Sequence, residues 1–276
     1  MRWINVYYRF AQLLNPKYSR SVSNAHEYVE PVRGKTGIEI GGPSAIFSQG
    51  GTLPIYTSAS KIDGCNFSNK TIWEGSIEAG QNYNYAPGRT GRQFISEASN
   101  LNQVAGEAYD FLASSHCLEH CANPIKTLKE WIRVVKPGGP LILVVPHHAA
   151  TFDRKRPITT LDHMIQDYKN NVQENDTTHL EEILSLHDLS IDDGTHDPTV
   201  FRERSRKNFE NRVLHHHVFN GISFASLLDH VGLQINRIDI RVPHHLIALT
   251  TKATGNPDNK KFLDEGYFKV NNPWMD

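Results

Sequence analysis

Histidine is the side chain that can lose or gain a proton near neutral pH, and a neutral imidazole is also a common metal ligand. The chain has 15 histidines, and nine of them fall between His147 and His217. His215 and His217 stand two apart in a stretch that reads as extended. That spacing points both imidazoles to one side and His216 to the other. His148 ends an apolar run, and His179 precedes Glu181 and Glu182. His148, His179, His215 and His217 are therefore the catalytic candidates: they could take a proton from an acceptor hydroxyl, or ligate a divalent metal that acidifies it. Asp153 and Arg156 read either as an ion pair that fixes this segment or as a clamp for an anionic acceptor. They join His163 as substrate-binding candidates. The bland alternative for each histidine is a hydrogen-bonded structural role.

A second group is His116-Cys117-Leu118-Glu119-His120-Cys121. Two His and two Cys, each pair four apart, offer zinc ligands on paper, but structural zinc sites draw ligands from separated hairpins or knuckles. Packing below a ligand is the rival reading. A third is Glu39-Ile40-Gly41-Gly42-Pro43-Ser44, an acid followed by glycines at the end of a short apolar strand. Glycines let backbone approach a ligand, and a strand-end carboxylate accepts hydrogen bonds. The spacing is neither GxGxxG nor GxxxxGK[ST], so neither a dinucleotide fingerprint nor a phosphate loop is met.

The elements that must position these residues follow from periodicity. Thr36–Ile40, Leu53–Tyr56, Ala108–Ser114, Leu141–Val145, Ile235–Val242 and Leu246–Thr251 read as strands. Pro124–Val135 carries Ile125, Leu128, Ile132 and Val135 at helical spacing and ends at Lys136-Pro137-Gly138-Gly139. Residues 66–92, rich in Gly, Asn, Ser and Thr, read as loops. Strands alternating with helices imply a doubly wound α/β sheet. The alternation stops at Pro146 and resumes near Gly221. The segment between, with helical pieces at Leu161–Tyr168 and His179–Leu186, reads as a lid inserted over the strand ends. The division is then 1–34 N-terminal helix and linker, 35–145 core, 146–221 insertion, 222–252 end of the sheet and 253–276 tail.

Composition narrows the class. Twenty-nine basic residues against 30 acidic ones give a net charge of -1, so no overall basic field points to nucleic acid. Three cysteines make no disulfide framework and fit a reducing, cytoplasmic setting. The opening MRWINVYYRFAQLL is too short and too polar for a membrane span.

Tyr109-Asp110-Phe111 through Ser114-Ser115-His116-Cys117-Leu118-Glu119-His120, then Asn123-Pro124, Glu130 and Arg133-Val134-Val135-Lys136-Pro137-Gly138-Gly139, with GIEIGG in front, resembles class I S-adenosylmethionine-dependent methyltransferases of the type-11 kind. The resemblance runs from about Gly37 to Pro146. It implies a seven-stranded Rossmann-like sheet, the last strand antiparallel, with S-adenosylmethionine across the strand ends. By position it implies that Glu39, Gly41 and Gly42 hold the amino-acid end of the cofactor, Ser115 and His116 flank its methionine side, and Glu97 and Ala98 lie by the adenine. The ribose-binding acid after strand two is missing at its usual place, and Asp63 is the nearest carboxylate. The blocks "TFD", "HLEE" and "HHHV" in the His-rich segment are similar to those of a subset encoded with polysaccharide and surface-glycan biosynthesis. That resemblance implies O-methylation of a small molecule: a sugar, nucleotide sugar or glycan end. The alternatives are N-methylation or other chemistry with the same cofactor, or a metal-dependent enzyme centred on the histidines.

Overall fold

The structure is a computed structural model that describes residues 24–192 and 194–269. Most of the helix expected over 1–34 lies outside the described residues. The central sheet has eight strands in the order β5-β6-β2-β1-β7-β8-β10-β9. The strands are β1 Thr36–Ile40, β2 Lys61–Asn66, β5 Gly80–Ala86, β6 Arg89–Ile95, β7 Phe111–Ser115, β8 Pro140–Pro146, β9 Leu233–Arg241 and β10 His245–Lys252; a separate ribbon pairs β3 Lys70–Thr71 with β4 Gly75–Ser76. Strands β6, β2, β1, β7 and β8 run parallel, and β10 runs antiparallel to both β8 and β9.

The sheet is Rossmann-like as expected, but it has eight strands instead of seven. The extra strand is β5, which pairs antiparallel with β6 at the edge. It falls in the stretch read as loop, where alternating burial at Tyr83 and Tyr85 carries the pattern of a strand with one wet face. Leu53–Tyr56 is not a strand. Pro54 interrupts it, and Ile55–Thr57 forms one tight turn packed into the core.

Alternation along the central strands feeds two cores. Ile38, Ile40, Leu112, Leu141, Leu143 and Val145 face one side, and Phe111, Ala113, Ile142 and Val144 the other. On the first side lies helix Pro124–Val134. Pro124 sits at its first position, and the Asn123 side chain accepts from the Lys126 amide. Ile125, Leu128, Trp131 and Val134 bury its apolar stripe. The helix also fixes a loop of the cavity described below. Trp131 Nε1 donates to the Ala98 carbonyl at 3.0 Å, Glu130 accepts from the Leu101 amide, and Arg133 donates to the carbonyls of Leu101 and Val104. Helix Gly221–His230 feeds the same core and packs on β9, started by a reciprocal Asn220–Ser223 cap.

Residues 147–220 separate β8 from that helix. They form the short helices Leu161–Lys169, Leu180–Leu186, Pro198–Arg206 and Asn208–Asn211 and loops around a small apolar centre of Ile183, Phe201 and Leu214.

Candidate functional site

The carboxyl ends of four adjacent parallel strands, β6, β2, β1 and β7, open onto one cavity. This is where open α/β sheets bind ligands. Ile40-Gly41 leaves β1, Cys65-Asn66-Phe67 leaves β2, Ser96-Glu97-Ala98 leaves β6 and His116-Cys117 leaves β7. Gly41 has φ +83, and a Cβ there would stand 2.9 Å from Cys117 Cβ. A side chain at position 41 is thus excluded both by backbone conformation and by space. Sequence reasoning placed Gly41, Glu97, Ala98 and His116 at this site, and all four line the cavity. It missed Asn66, Phe67, Trp73, Glu174 and Arg212. The last two come from residues 147–220 and close the cavity from above. Arg212 bridges Glu97 at 2.7 Å and Glu174 at 2.8 Å and stacks over Phe67. Burial raises the pKa of both carboxyls, and the Arg212 charge opposes that shift.

Glu39 does not face the cavity. Its carboxylate is fully buried behind the turn and accepts from the Ser44 amide at 3.0 Å and from the hydroxyls of Tyr56 and Tyr83, both at 2.6 Å. Burial raises its pKa, and these three donors hold it down. Gly42 serves the same packing: a Cβ there would meet the Glu39 carboxyl at 2.2 Å. Glu39 and Gly42 are therefore the footing of the glycine turn. Asp63 is also misplaced by sequence reasoning. It lies inside β2, not on a loop, and accepts from Tyr109 at 2.8 Å, the Arg92 amide at 2.8 Å and Lys61 at 3.0 Å. The end of β2 carries Asn66 and Phe67 with no carboxylate, and Asn66 Nδ2 is occupied by the Gly42 carbonyl.

A wider depression adjoins the cavity and shares Gly41, Trp73 and His116 with it. Its walls include Ser44, Ser48, Thr52, Glu74, Ser115, His244 and His245. Ser115, expected beside the cofactor, faces this depression. His116 has φ +51, a sparsely populated conformation for a residue with a side chain. Strain of this kind clusters at functional sites. Its ring is held from both ends: Nε2 lies 2.9 Å from His245 Nδ1, and Nδ1 lies 3.4 Å from Glu119 Oε1. His244 packs edge-on against it. Burial, then the neighbouring imidazoles, pushes His244 down to about 3 and His245 well below its usual value, so both are neutral. Glu119 is fully buried. Burial would raise its carboxyl, but His116, His120 and His215 hold it at about 2.

The four histidines favoured by sequence reasoning line neither cavity. His215 Nδ1 is 2.5 Å from Asp153 Oδ2, and the Arg156 guanidinium donates to Asp153 at 2.8 Å, to Glu182 at 2.8 Å and to the His215 carbonyl at 2.8 Å. The Arg156 side chain is 1% exposed. Asp153 and Arg156 thus form a buried ion pair and are not available to an acceptor. Burial opposes the charge on Asp153, but His215 and Arg156 hold its carboxyl at about 2, and Asp153 raises His215 against burial. His215 and His217 do not share a side, because residues 215–217 are irregular and not a strand. His217 turns toward His163, Asp167 and His179, and His216 toward Asn208. His148 starts a tight turn beside His147.

Residues 56–143 match the family model of a methyltransferase domain. No curated protein sequence matches the chain. Solved structures similar to it include a SAM-dependent methyltransferase from Aquifex aeolicus, at 11% identity over 89% of this chain and 97% of that one, TM-score 0.43. A SAM-dependent methyltransferase from Methanosarcina mazei shows 15% identity over 85% and 100%, TM-score 0.46. The 1,6-didemethyltoxoflavin-N1-methyltransferase of Burkholderia thailandensis, solved with bound 1,6-didemethyltoxoflavin and S-adenosylhomocysteine, shows 11% identity over 84% and 77%, TM-score 0.44. The matched residues include β2, β6 and β7, three of the strands whose carboxyl ends form the cavity.

Proposed function

We propose that the cavity at the strand ends holds S-adenosylmethionine, that the adjoining depression holds the acceptor, and that the transferred methyl group passes at their shared wall, beside His116. The observation that carries this reading is that His116 borders both spaces and is tied to a buried carboxylate on one side and a neutral imidazole on the other. The cavity residues fit the cofactor: the backbone is bare at Gly41, and Phe67, Cys65 and Ala98 offer apolar surface to a base. When bound, the cofactor supplies an electrophilic methyl group on a sulfonium sulfur.

The chain's own residues then have one task besides positioning, which is to take the proton that an attacking hydroxyl must lose. The His116–His245 pair accepts it, and the Glu119 carboxylate stabilises the imidazolium that forms. His116 and His245 replace His215 and His217 as the catalytic candidates, with Glu119 positioning them. The hydroxyl and carboxyl groups that wall the depression suit a hydroxyl-bearing acceptor. Together with the resemblance of the 147–220 segment to methyltransferases of glycan biosynthesis, they favour O-methylation of a sugar, nucleotide sugar or glycan end.

The test is a mass-spectrometric screen of nucleotide sugars and simple glycosides for products heavier by one methyl group, with His116→Ala, His245→Ala and Glu119→Gln assayed on the hit. We expect His245→Ala to lose roughly a hundredfold to ten-thousandfold in turnover while cofactor affinity by calorimetry holds. Turnover that survives both His116→Ala and His245→Ala would overturn the assignment.

A further inference from the structure

Outside both cavities, four side chains from separated stretches meet at one point. His163 and Asp167 stand one turn apart on helix Leu161–Lys169, His179 precedes helix Leu180–Leu186, and His217 comes from the irregular passage before helix Gly221–His230. One ligand atom from each lies within 4.8 Å of all the others. His163 Nε2 is 3.1 Å from His179 Nε2 and 3.3 Å from Asp167 Oδ2, and His217 Nε2 is 3.9 Å from the same oxygen. That oxygen is buried and accepts no hydrogen bond.

A buried carboxylate oxygen without a donor is costly. Two imidazole nitrogens aimed at each other leave one lone pair facing another unless a proton or a cation lies between. A single cation satisfies all of these groups together. Zinc bonds to imidazole nitrogen and carboxylate oxygen at about 2.0–2.2 Å, so tetrahedral ligands stand roughly 3.3 Å from one another. Three of the six separations, 3.1, 3.3 and 3.9 Å, bracket that value, and all six are within 4.8 Å. Four protein ligands leave no open position, which marks a structural site rather than a catalytic one.

We propose that His163, Asp167, His179 and His217 bind one zinc ion, which ties helix Leu161–Lys169, the start of helix Leu180–Leu186 and the irregular passage at His217 to one another within residues 147–220. His217 also reaches the loop that carries His116 and Glu119 through its amide, which donates to the Glu119 carbonyl at 3.3 Å; its Nε2, 3.2 Å from the Ala122 carbonyl, exchanges that contact for the metal. Zinc at Nε2 moves the imidazole proton to Nδ1, a buried atom without a partner, so His217 is the weakest of the four ligands. Cysteine, the preferred ligand of most structural zinc sites, is absent from this set.

Protein made without a histidine tag should contain about one zinc per chain by plasma mass spectrometry. Asp167→Asn, and His163→Ala combined with His179→Ala, should each bind zinc at least about tenfold more weakly in competition with a chromophoric chelator. His120→Ala and His244→Ala, which touch the other two histidine clusters, should keep it. Chelation should lower the melting temperature of the wild type and leave that of Asp167→Asn unchanged. If the variants fail to fold, cobalt exchanged into the wild type decides: the intense visible bands of tetrahedral cobalt support the site, and their absence overturns it. Wild-type protein that neither contains zinc nor takes it up would overturn the proposal, as would zinc that stays in Asp167→Asn but leaves with His244→Ala.

Discussion

The histidines at the sheet edge and those in residues 147–220 solve the same problem in opposite ways. His116, His244 and His245 gather around an open depression, and the one carboxylate they approach, Glu119, receives no hydrogen bond from any of them. His215 sits in the reverse arrangement, inside a dense set of charge pairs where Asp153, Arg156 and Glu182 neutralise one another. Number of histidines is therefore a poor guide to chemistry. What separates the two groups is whether an imidazole has space on one side and spare polar capacity on the other.

The contrast can be broken most sharply at Arg156. Removing it leaves Asp153 buried beside His215 with half its partners gone, and breaking such a pair costs about 3–5 kcal/mol. Chemical denaturation of Arg156→Ala should show a loss of that order. A loss below about 1 kcal/mol would mean that the 147–220 region is held by something else, and His215 would return as a catalytic candidate. At the sheet edge the corresponding change is Gly41→Ala. Its Cβ would press on Cys117 and its backbone would leave the left-handed region. Calorimetry should show S-adenosylmethionine or its demethylated product bound at least about tenfold more weakly, roughly 1.4 kcal/mol, with little change in stability.

The smallest effect is in pH dependence, and it sharpens the comparison because the two kinds of histidine move it in opposite directions. His120 and His147 are pushed down to about 4, and His216 and His244 to about 3, in each case first by burial. The unfolded chain binds protons at these positions below pH about 6.5, while the folded chain does not. Their contribution to stability is thus full above that pH and falls as pH drops toward 4 and then 3. His215 has the opposite sign: its raised pKa gives stability that is present below about pH 6.5 and lost as pH rises through the folded value. Asp153, held at about 2, adds stability above pH about 3.8 that is lost toward 2. Melting temperatures across pH should decline already between 6.5 and 5, earlier than carboxylates alone would dictate. In His215→Gln the alkaline decline should flatten while the acid one stays. An unchanged alkaline arm would show that His215 does not titrate in this range.

The sheet was legible because its strands announce themselves by burial on both faces, as in Leu141–Val145, and because Lys136-Pro137-Gly138-Gly139 stops a well-patterned helix. β5 was hidden: Gly, Asn and Gln on its wet face disguise a strand whose signal is the alternate Tyr83 and Tyr85. Within the site, the glycine turn and the Glu97-Ala98 and His116 positions could be read, since each follows directly from a strand end. Glu174, Arg212, His244 and His245 could not, because tertiary packing alone brings them to partners 52 to 129 residues away. The catalytic phase assigned to His215 and His217 failed for a definite reason. It assumed an extended backbone, and residues 215–217 have none. His244-His245 was in view only as the link between two strands, yet a link at the carboxyl edge of a sheet deserves the same scrutiny as the strand ends it joins.

Arg212 has a consequence for timing. It is tied to Glu97 on the sheet side and Glu174 on the opposite side, so the roof of the cavity is latched at two points. In the proposed reading, spent cofactor leaves only when this latch opens, and escape rather than methyl transfer then sets the pace of the catalytic cycle. A burst of product in the first turnover, followed by a slower steady rate that speeds up in Glu174→Gln, is the kinetic signature of such a gate. A linear time course from the start would place the slow step at the chemistry instead.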